Sequence, residues 1–191
     1  MVYNNLVTIY FTASIVGKKH FLKNYLTIVD LLKTNNGKVI SDHIINSSEN
    51  KLIMETREER IKFQEQLDKW INSSDCVVAE VSFPSISVGY EISLALNRGK
   101  PVLILYTNSH PPSLLAHHKN EKLVCEKYNP NNAGDIIEDF LNYVKGTEDS
   151  RFTFYISSEI ASYLDKVSRK NKVPKAVYLR KIIEKDMRDN K

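Results

Sequence analysis

Between Asp75 and Glu91 the chain reads Asp-Cys-Val-Val-Ala-Glu-Val-Ser-Phe-Pro-Ser-Ile-Ser-Val-Gly-Tyr-Glu. A short apolar run ends in a loop of serine, proline and glycine. The loop opens a segment, Tyr90 to Arg98, that reads as a helix with Glu91 in its first turn. An apolar run without polar alternation is covered on both faces, the condition of a strand inside a parallel sheet.

The same unit recurs along the chain. Leu6–Phe11, Val39–Ile40, Cys76–Val81, Pro101–Tyr106 and Leu123–Tyr128 read as strands. Phe21, Tyr25, Ile28, Val29 and Leu32 recur at helical spacing until Asn35-Asn36-Gly37 stops them. Glu58–Ile71, Val88–Arg98 and Ile136–Val144 supply three more helices. Thr12–Gly17 reads as a turn, Ile45–Met54 as a mobile polar loop, and Asn108–Asn120 as a loop with a short helix near Leu114–His117. Alternating strands and helices predict an α/β fold: a five-stranded, parallel, doubly wound sheet in the Rossmann-like, flavodoxin-like order 2-1-3-4-5. In such sheets ligands bind outside the carboxyl ends of the strands. Glu91 is therefore placed where a substrate sits, beside small hydroxyl side chains.

Composition narrows the class. A length of 191 residues fits one α/β domain of about 150 residues with a small appendage. No apolar run approaches the roughly 20 residues that span a bilayer, and the first residues lack a signal-peptide pattern. The chain is expected to be cytoplasmic and not membrane-bound. Cys76 and Cys125 lie in apolar runs and read as buried free thiols of a reducing compartment. His110, His117 and His118 lack the i,i+4 spacing and neighbouring cysteines of a metal site, so no metal is expected. No glycine-rich dinucleotide or phosphate-loop signature is present, and no organic cofactor is expected.

Charge divides the chain. Residues 151–191 hold 11 Lys/Arg against 5 Asp/Glu, leaving 16 against 18 in residues 1–150. The polar break at Lys145–Ser150 separates two expected domains, 1–146 and 151–191. Beyond it the period changes. Phe152, Phe154 and Ile156 alternate with Arg151, Thr153 and Tyr155, as in a half-buried strand. Ser157 or Ser158 caps a helix with Ile160, Leu164 and Val167 on one face, and Pro174 opens a second carrying Ala176, Leu179, Ile182 and Ile183.

Three segments together carry a family resemblance: Ile9-Tyr-Phe-Thr-Ala-Ser-Ile-Val-Gly17, Pro84-Ser-Ile-Ser-Val-Gly-Tyr-Glu91 and Pro112-Ser-Leu-Leu-Ala116. Over roughly residues 6–128 the chain resembles the nucleoside 2-deoxyribosyltransferase superfamily, and within it the 2'-deoxynucleoside 5'-phosphate N-hydrolases. The resemblance implies cleavage of the bond between a nucleobase and C1' of deoxyribose. Positive charge develops at that carbon, and a carboxylate opposite the base stabilises it or bonds to it. By resemblance Glu91 is the nucleophile and Tyr10 orients it. Ser14, Ser85 and Ser113 match serines that hold the 5'-phosphate, with Ile15, Gly17, Ser87 and Gly89 lining the same site. Ser113 is implied to reach a neighbouring subunit's site, which makes the unit a homodimer. The transferases that act on unphosphorylated nucleosides carry aspartate at the Ser85 position, so serine there favours a nucleotide.

Two positions depart from the pattern. Val16 stands where the hydrolases carry arginine, leaving Lys18 or Lys19 to meet a phosphate. The aspartate that contacts the sugar hydroxyl aligns with Leu67. Asp68 lies one residue on, about 100° around a helix, and Glu65 is the other candidate.

Residues 151–187 resemble a ribbon-helix-helix module. The resemblance implies strands paired across a dimer, with Arg151, Thr153 and Tyr155 reading DNA bases and Lys172 and Lys175 meeting phosphates. The plain alternative is a dimerisation element with solvated lysines. Two functions follow: an N-glycosidase acting on deoxynucleoside monophosphates, or a nucleotide-sensing DNA-binding regulator with little catalysis. Transferase chemistry is a third reading.

Overall fold

A computed structural model describes residues 6–48, 56–108, 112, 115, 120–146, 156–171 and 175–190. The chain forms two compact units, Met1–Arg151 and Phe152–Lys191.

The first unit is built on five parallel strands: β1 (Val7–Ala13), β2 (Gly37–Ile40), β3 (Cys76–Glu80), β4 (Val102–Tyr106) and β5 (Leu123–Lys127), in the order 2-1-3-4-5. Helices α1 (Lys18–Thr34), α2 (Asp42–Ile45), α3 (Arg57–Ser73), α4 (Ile86–Asn97) and α5 (Ala133–Lys145) connect and flank them. β3 is buried at every residue because it lies at the sheet's centre, whereas the edge strand β5 is only half-buried. Cys125 shares that edge and is partly exposed, which corrects the expectation that both cysteines are buried; Cys76 is buried.

Strand alternation sorts the core into two layers. Ile9, Phe11, Val78, Leu103 and Leu105 face α1 and α5, packing with Tyr25, Ile28, Ile137 and Phe140. Tyr10, Val77, Ala79 and Ile104 face the other way and pack with Leu67 and Ile71 of α3 and Val88 and Ile92 of α4. A one-residue slip in β1 would exchange these two sets.

Local chemistry sets the helix ends. Thr56 and Glu59 form a reciprocal capping box that starts α3. Gly146 ends α5 with φ +64, a left-handed C-cap that glycine adopts without Cβ strain. Ser85 starts α4: its Oγ accepts from the backbone N–H of Val88.

That cap corrects one expectation. Because α4 begins at Ile86, Glu91 is in its second turn and not the first. β1 also continues through Thr12 and Ala13, which the sequence pattern assigns to a turn, and α2 occupies part of a stretch that carries no clear period.

The second unit contains α6 (Ser158–Asn171) and α7 (Lys175–Asp189). The strand expected at 152–156 lies outside the described residues except for Ile156. Ser113, His110, His117, His118, Arg151, Thr153, Tyr155 and most of the 45–54 loop's second half also lie outside them. No described helix is long and apolar enough to cross a membrane.

Candidate active site

The site starts from a helix stripe. Val88, Ile92 and Ala95 of α4 are buried at the i, i+4, i+7 spacing of an inward face. Glu91 falls on that same stripe and is only 5% exposed, so it is not a solvated surface carboxylate. Above it, alternation along β1 turns Tyr10 and Thr12 to the α4 side. Tyr10 Oη donates to Glu91 Oε2 at 3.0 Å in a buried hydrogen bond.

Thr12 is wholly buried, and its hydroxyl stands beside the same carboxylate without completing a full hydrogen bond. Burial pushes the Glu91 carboxyl above its ordinary range, and the hydroxyls of Thr12 and Tyr10 oppose that rise. Burial, with the charge and hydrogen bond of Glu91, pushes the Tyr10 phenol far up, so it remains a donor. This arrangement has the parts of a positioned carboxylate nucleophile: a carboxylate, a fixed hydroxyl donor and low solvent access.

An aromatic wall backs the pair. The His43 ring stacks on Tyr10 at a centroid distance of 4.9 Å and on Trp70 at 4.8 Å, with Phe63 against Trp70. Both His43 ring nitrogens are buried without a hydrogen-bond partner among the described residues. Burial pulls the imidazole down to about 4, against the opposing charge of Asp42, so the ring is neutral near pH 7. His43, Trp70 and Thr12 are the parts of this site that sequence reading did not assign. The polar segment around α2 has too few apolar residues to show a period. Trp70, however, lies on the Leu67–Ile71 stripe of α3.

The loop after β1 is tightly held. Ser14 Oγ accepts from the N–H of Gly17 at 3.1 Å, and the Ser14 carbonyl accepts from the Tyr25 phenol at 3.2 Å. A Cβ at Gly17 would stand 2.6 Å from Phe83 Cβ and 2.8 Å from the Tyr25 oxygen, so close packing of this turn requires glycine. Gly89 differs: a Cβ there meets open space. Ile15 and Val16 are partly exposed, and Ser87 is exposed.

Two of the expected charge carriers are engaged elsewhere. Lys18 donates to the carbonyls of Ile45, at 2.8 Å, and Ser47, which ties α1 to the end of α2. Asp68 pairs with Arg98 at 2.9 Å with its side chain 42% exposed, and its carboxylate makes no hydrogen bond to Tyr10 or Glu91. Leu67, by contrast, is 2% exposed and shares a core cluster with Tyr10. Glu65 is exposed. Lys19 is exposed in the first turn of α1, which has no acidic residue.

A cavity of about 380 Å³ lies along the start of α4, bounded by Phe83, Ser85, Val88, Gly89, Tyr106 and Asn108 among others. Its largely apolar lining includes Ser85 and Gly89, while Tyr10 and Glu91 do not line it.

The site thus consists of a buried acid on the helix after the third strand of a 2-1-3-4-5 sheet, hydrogen-bonded by a tyrosine from the first strand. The nucleoside 2-deoxyribosyltransferase family model matches residues 9–143, and the chain belongs to that family. A ribbon-helix-helix domain model matches residues 150–185.

Among individual relatives, the 5-hydroxymethyl-dUMP N-hydrolase of Rattus norvegicus is 36% identical over 99 residues, 52% of this chain and 60% of that protein. The 5-hydroxymethyl-dUMP N-hydrolase of Esox lucius is 34% identical over 109 residues, 56% of this chain and 74% of that protein. The chain thus spans less than two thirds of the rat protein's length. Among solved structures, a 2-deoxyribosyltransferase from Bacillus psychrosaccharolyticus shares the fold with a TM-score of 0.51 at 14% identity, covering 69% of this chain and 90% of that one.

Proposed function

We propose that the chain is an N-glycosidase that hydrolyses the base–deoxyribose bond of 2'-deoxynucleoside 5'-monophosphates. The observation that carries this reading is the buried Tyr10–Glu91 hydrogen bond at the strand ends of the family's fold. The relatives named as hydrolases of a deoxynucleoside monophosphate support the substrate class.

In the proposed reaction a Glu91 oxygen attacks C1'. The bond from C1' to the base breaks, its electron pair leaves with the base nitrogen, and the base takes up a proton. Water then attacks C1' and releases deoxyribose 5-phosphate, regenerating the carboxylate. Tyr10 fixes the carboxylate's direction, and its hydrogen bond opposes the rise that burial gives the Glu91 carboxyl. Ser14 and Ser85, with Ser113 from a neighbouring copy, hold the phosphate, beside Ile15, Gly17, Ser87 and Gly89. The exposed Lys19 in an acid-free helix start supplies the positive field that Val16 does not.

Asp68 has a structural part in this reading, because Arg98 holds it. Leu67 in the place of a polar residue removes one contact to the sugar and relaxes selection at that hydroxyl.

Replacement of the nucleophile tests the mechanism. Glu91→Gln keeps the size and the hydrogen-bond acceptor but not the charge, and free base is expected to fall at least about a thousandfold. Base release at the wild-type rate in a folded Glu91→Gln protein excludes the mechanism.

The domain match at residues 150–185 favours a second, compatible reading for the tail. There Arg151, Thr153 and Tyr155 read DNA in a dimer, and the nucleotide domain is carried to its site or senses a nucleotide. Exposed Ile160, Tyr163, Ile182, Ile183 and Met187 on α6 and α7 support pairing with a second copy. Mobility shifts of genomic fragments at physiological salt test it, and the absence of any specific shift excludes DNA reading.

A further inference from the structure

The molecule holds a second buried acid that the proposed reaction does not use. Glu80 ends β3 opposite Ala13 of β1 and Leu105 of β4, and it is fully buried. Alternation puts it with Val78 on the α1 side of the sheet, the face opposite Tyr10. Burying a carboxylate is costly unless its hydrogen bonds are satisfied. Among the described residues no lysine or arginine pairs with it. Apolar packing gives no reason for an acid here, since the four residues before it in β3 are Cys, Val, Val and Ala.

Its hydrogen bonds give a reason, and they converge on one oxygen, since Oε2 is buried without a partner among the described residues. Glu80 Oε1 accepts from the Ser82 hydroxyl, from the Ser82 N–H at 3.3 Å and from the Tyr128 phenol at 3.1 Å. Ser82 Oγ has spent its proton on Glu80, so it accepts from Thr107 N and Thr107 Oγ1, both at 2.9 Å. Asn108 donates to the Ser82 carbonyl at 2.9 Å. Tyr128 likewise accepts from Asn24 of α1 at 2.9 Å. Burial, with a smaller contribution from the nearby Glu80 carboxylate, raises the Tyr25 phenol, whose hydroxyl donates to the Ser14 carbonyl.

One carboxylate oxygen therefore fixes which way every hydroxyl in the network points. It joins the loop after β3, which runs on to Ser85, to the end of β4 and to α1. The register partner of Glu80 in β1, Ala13, leads directly into the loop that carries Ser14.

We propose that Glu80 is a positioning residue: by bracing Ser82 and the loops around it, it holds Ser14 and Ser85 at the spacing that one phosphate group needs. The inference rests on the phosphate-binding reading above and deepens it. Glu80 does not touch substrate. It acts through Ser82 and Tyr128 and beside its strand partner Ala13, and the required property is an acceptor at the Oε1 position.

Three variants separate this role from a general structural one. Glu80→Gln keeps an acceptor at Oε1. Glu80→Leu removes it, and Ser82→Ala cuts the connection to β4 while leaving Glu80 in place. KM and kcat are measured for a deoxynucleoside monophosphate and for the matching unphosphorylated deoxynucleoside, with thermal melting as the check on folding.

For Glu80→Leu the expected result is a KM for the nucleotide raised about tenfold or more, the scale of one lost buried hydrogen bond to a charged group. Its kcat and its KM for the deoxynucleoside are expected to move far less, and Glu80→Gln to restore most of the nucleotide KM. If Glu80→Leu does not fold, Ser82→Ala is expected to show the same selective rise.

Equal losses for both substrates, a Gln variant as impaired as Leu, or an unchanged nucleotide KM in a folded variant overturn the inference. Should turnover be absent, calorimetric binding of the same nucleotide replaces KM. Nucleotide binding intact in folded Glu80→Leu then overturns this inference alone. Failure of the wild-type protein to bind any deoxynucleotide overturns the phosphate reading and this inference with it.

Discussion

Two buried carboxylates lie on opposite faces of one sheet, Glu80 at the end of β3 and Glu91 in the second turn of α4, and the protein surrounds them differently. Glu80 has three donors on one oxygen, and each donor is fixed by a further partner. Glu91 has one full hydrogen bond, from Tyr10, a nearby threonine hydroxyl, and an aromatic wall whose imidazole nitrogens are unpaired among the described residues. The Glu80 network fixes one oxygen, Oε1, from several directions, while Oε2 is buried without a partner among the described residues. Glu91 is held chiefly through the one hydrogen bond from Tyr10. Burial raises both carboxyls, and in the proposed reaction only Glu91 meets the substrate.

The sharpest way to break this contrast is to take away Glu91's one hydrogen bond. Tyr10→Phe is expected to lower kcat about 10- to 100-fold, the scale of a hydrogen bond to a charged group. It removes an interaction that favours the ionised acid, so the acid limb of the pH–rate profile is expected to move to higher pH. An unmoved limb would show that Tyr10 does not govern Glu91.

Gly17→Ala tests the packing of the turn that carries Ser14. Its methyl would stand within 2.8 Å of both Phe83 and Tyr25. A loss of about 1–3 kcal/mol in denaturant unfolding is expected, as for other overpacked positions. A loss within error would mean that the turn yields.

Stability against pH separates function from folding at Glu91. Its carboxyl is raised in the native state, so that state holds a proton the unfolded chain has already lost. Stability contributed by this residue therefore falls as pH rises from the ordinary carboxylate value, about 4.3, to the raised one. Glu91→Gln removes that loss and is expected to melt higher than the wild type at pH 7, while the two converge below pH 4. His43 runs the other way: its native value near 4 means stability is lost as pH falls below the unfolded imidazole value, about 6.5. A Glu91→Gln protein that melts lower at neutral pH contradicts the assignment of strain to this acid.

The smallest effect is expected at Asp68. Asp68→Asn breaks a half-exposed pair with Arg98, so stability is expected to change by less than about 1 kcal/mol and base release to persist. Loss of activity without loss of stability would return Asp68 to the reaction.

Much of this was legible beforehand because strand order follows from alternating periods. The run from Cys76 to Val81 is apolar because β3 is covered on both faces, and that pattern marked the centre of the sheet. Glu91 was legible as an acid after a strand. Its burial was not, because the start of α4 depends on the Ser85 cap, and a capping serine reads the same as a loop serine. Asp68 and Lys18 show the complementary limit. A charged residue near a motif reveals its type, but its partner across the fold, here Arg98 or the carbonyl of Ile45, has no local sequence signal. His43 lies in a four-residue helix, too short to carry a period, and a single glutamate inside an apolar strand such as Glu80 has no local signal for the partners it meets across the fold.

The most direct test of the central claim incubates the purified chain with the four deoxynucleoside monophosphates, a ribonucleotide and an unphosphorylated deoxynucleoside, and scores free base by chromatography. Release from a deoxynucleoside monophosphate, with far less from the ribonucleotide and the unphosphorylated substrate, is the predicted result. Base release confined to the unphosphorylated deoxynucleoside, or none from any substrate, contradicts it.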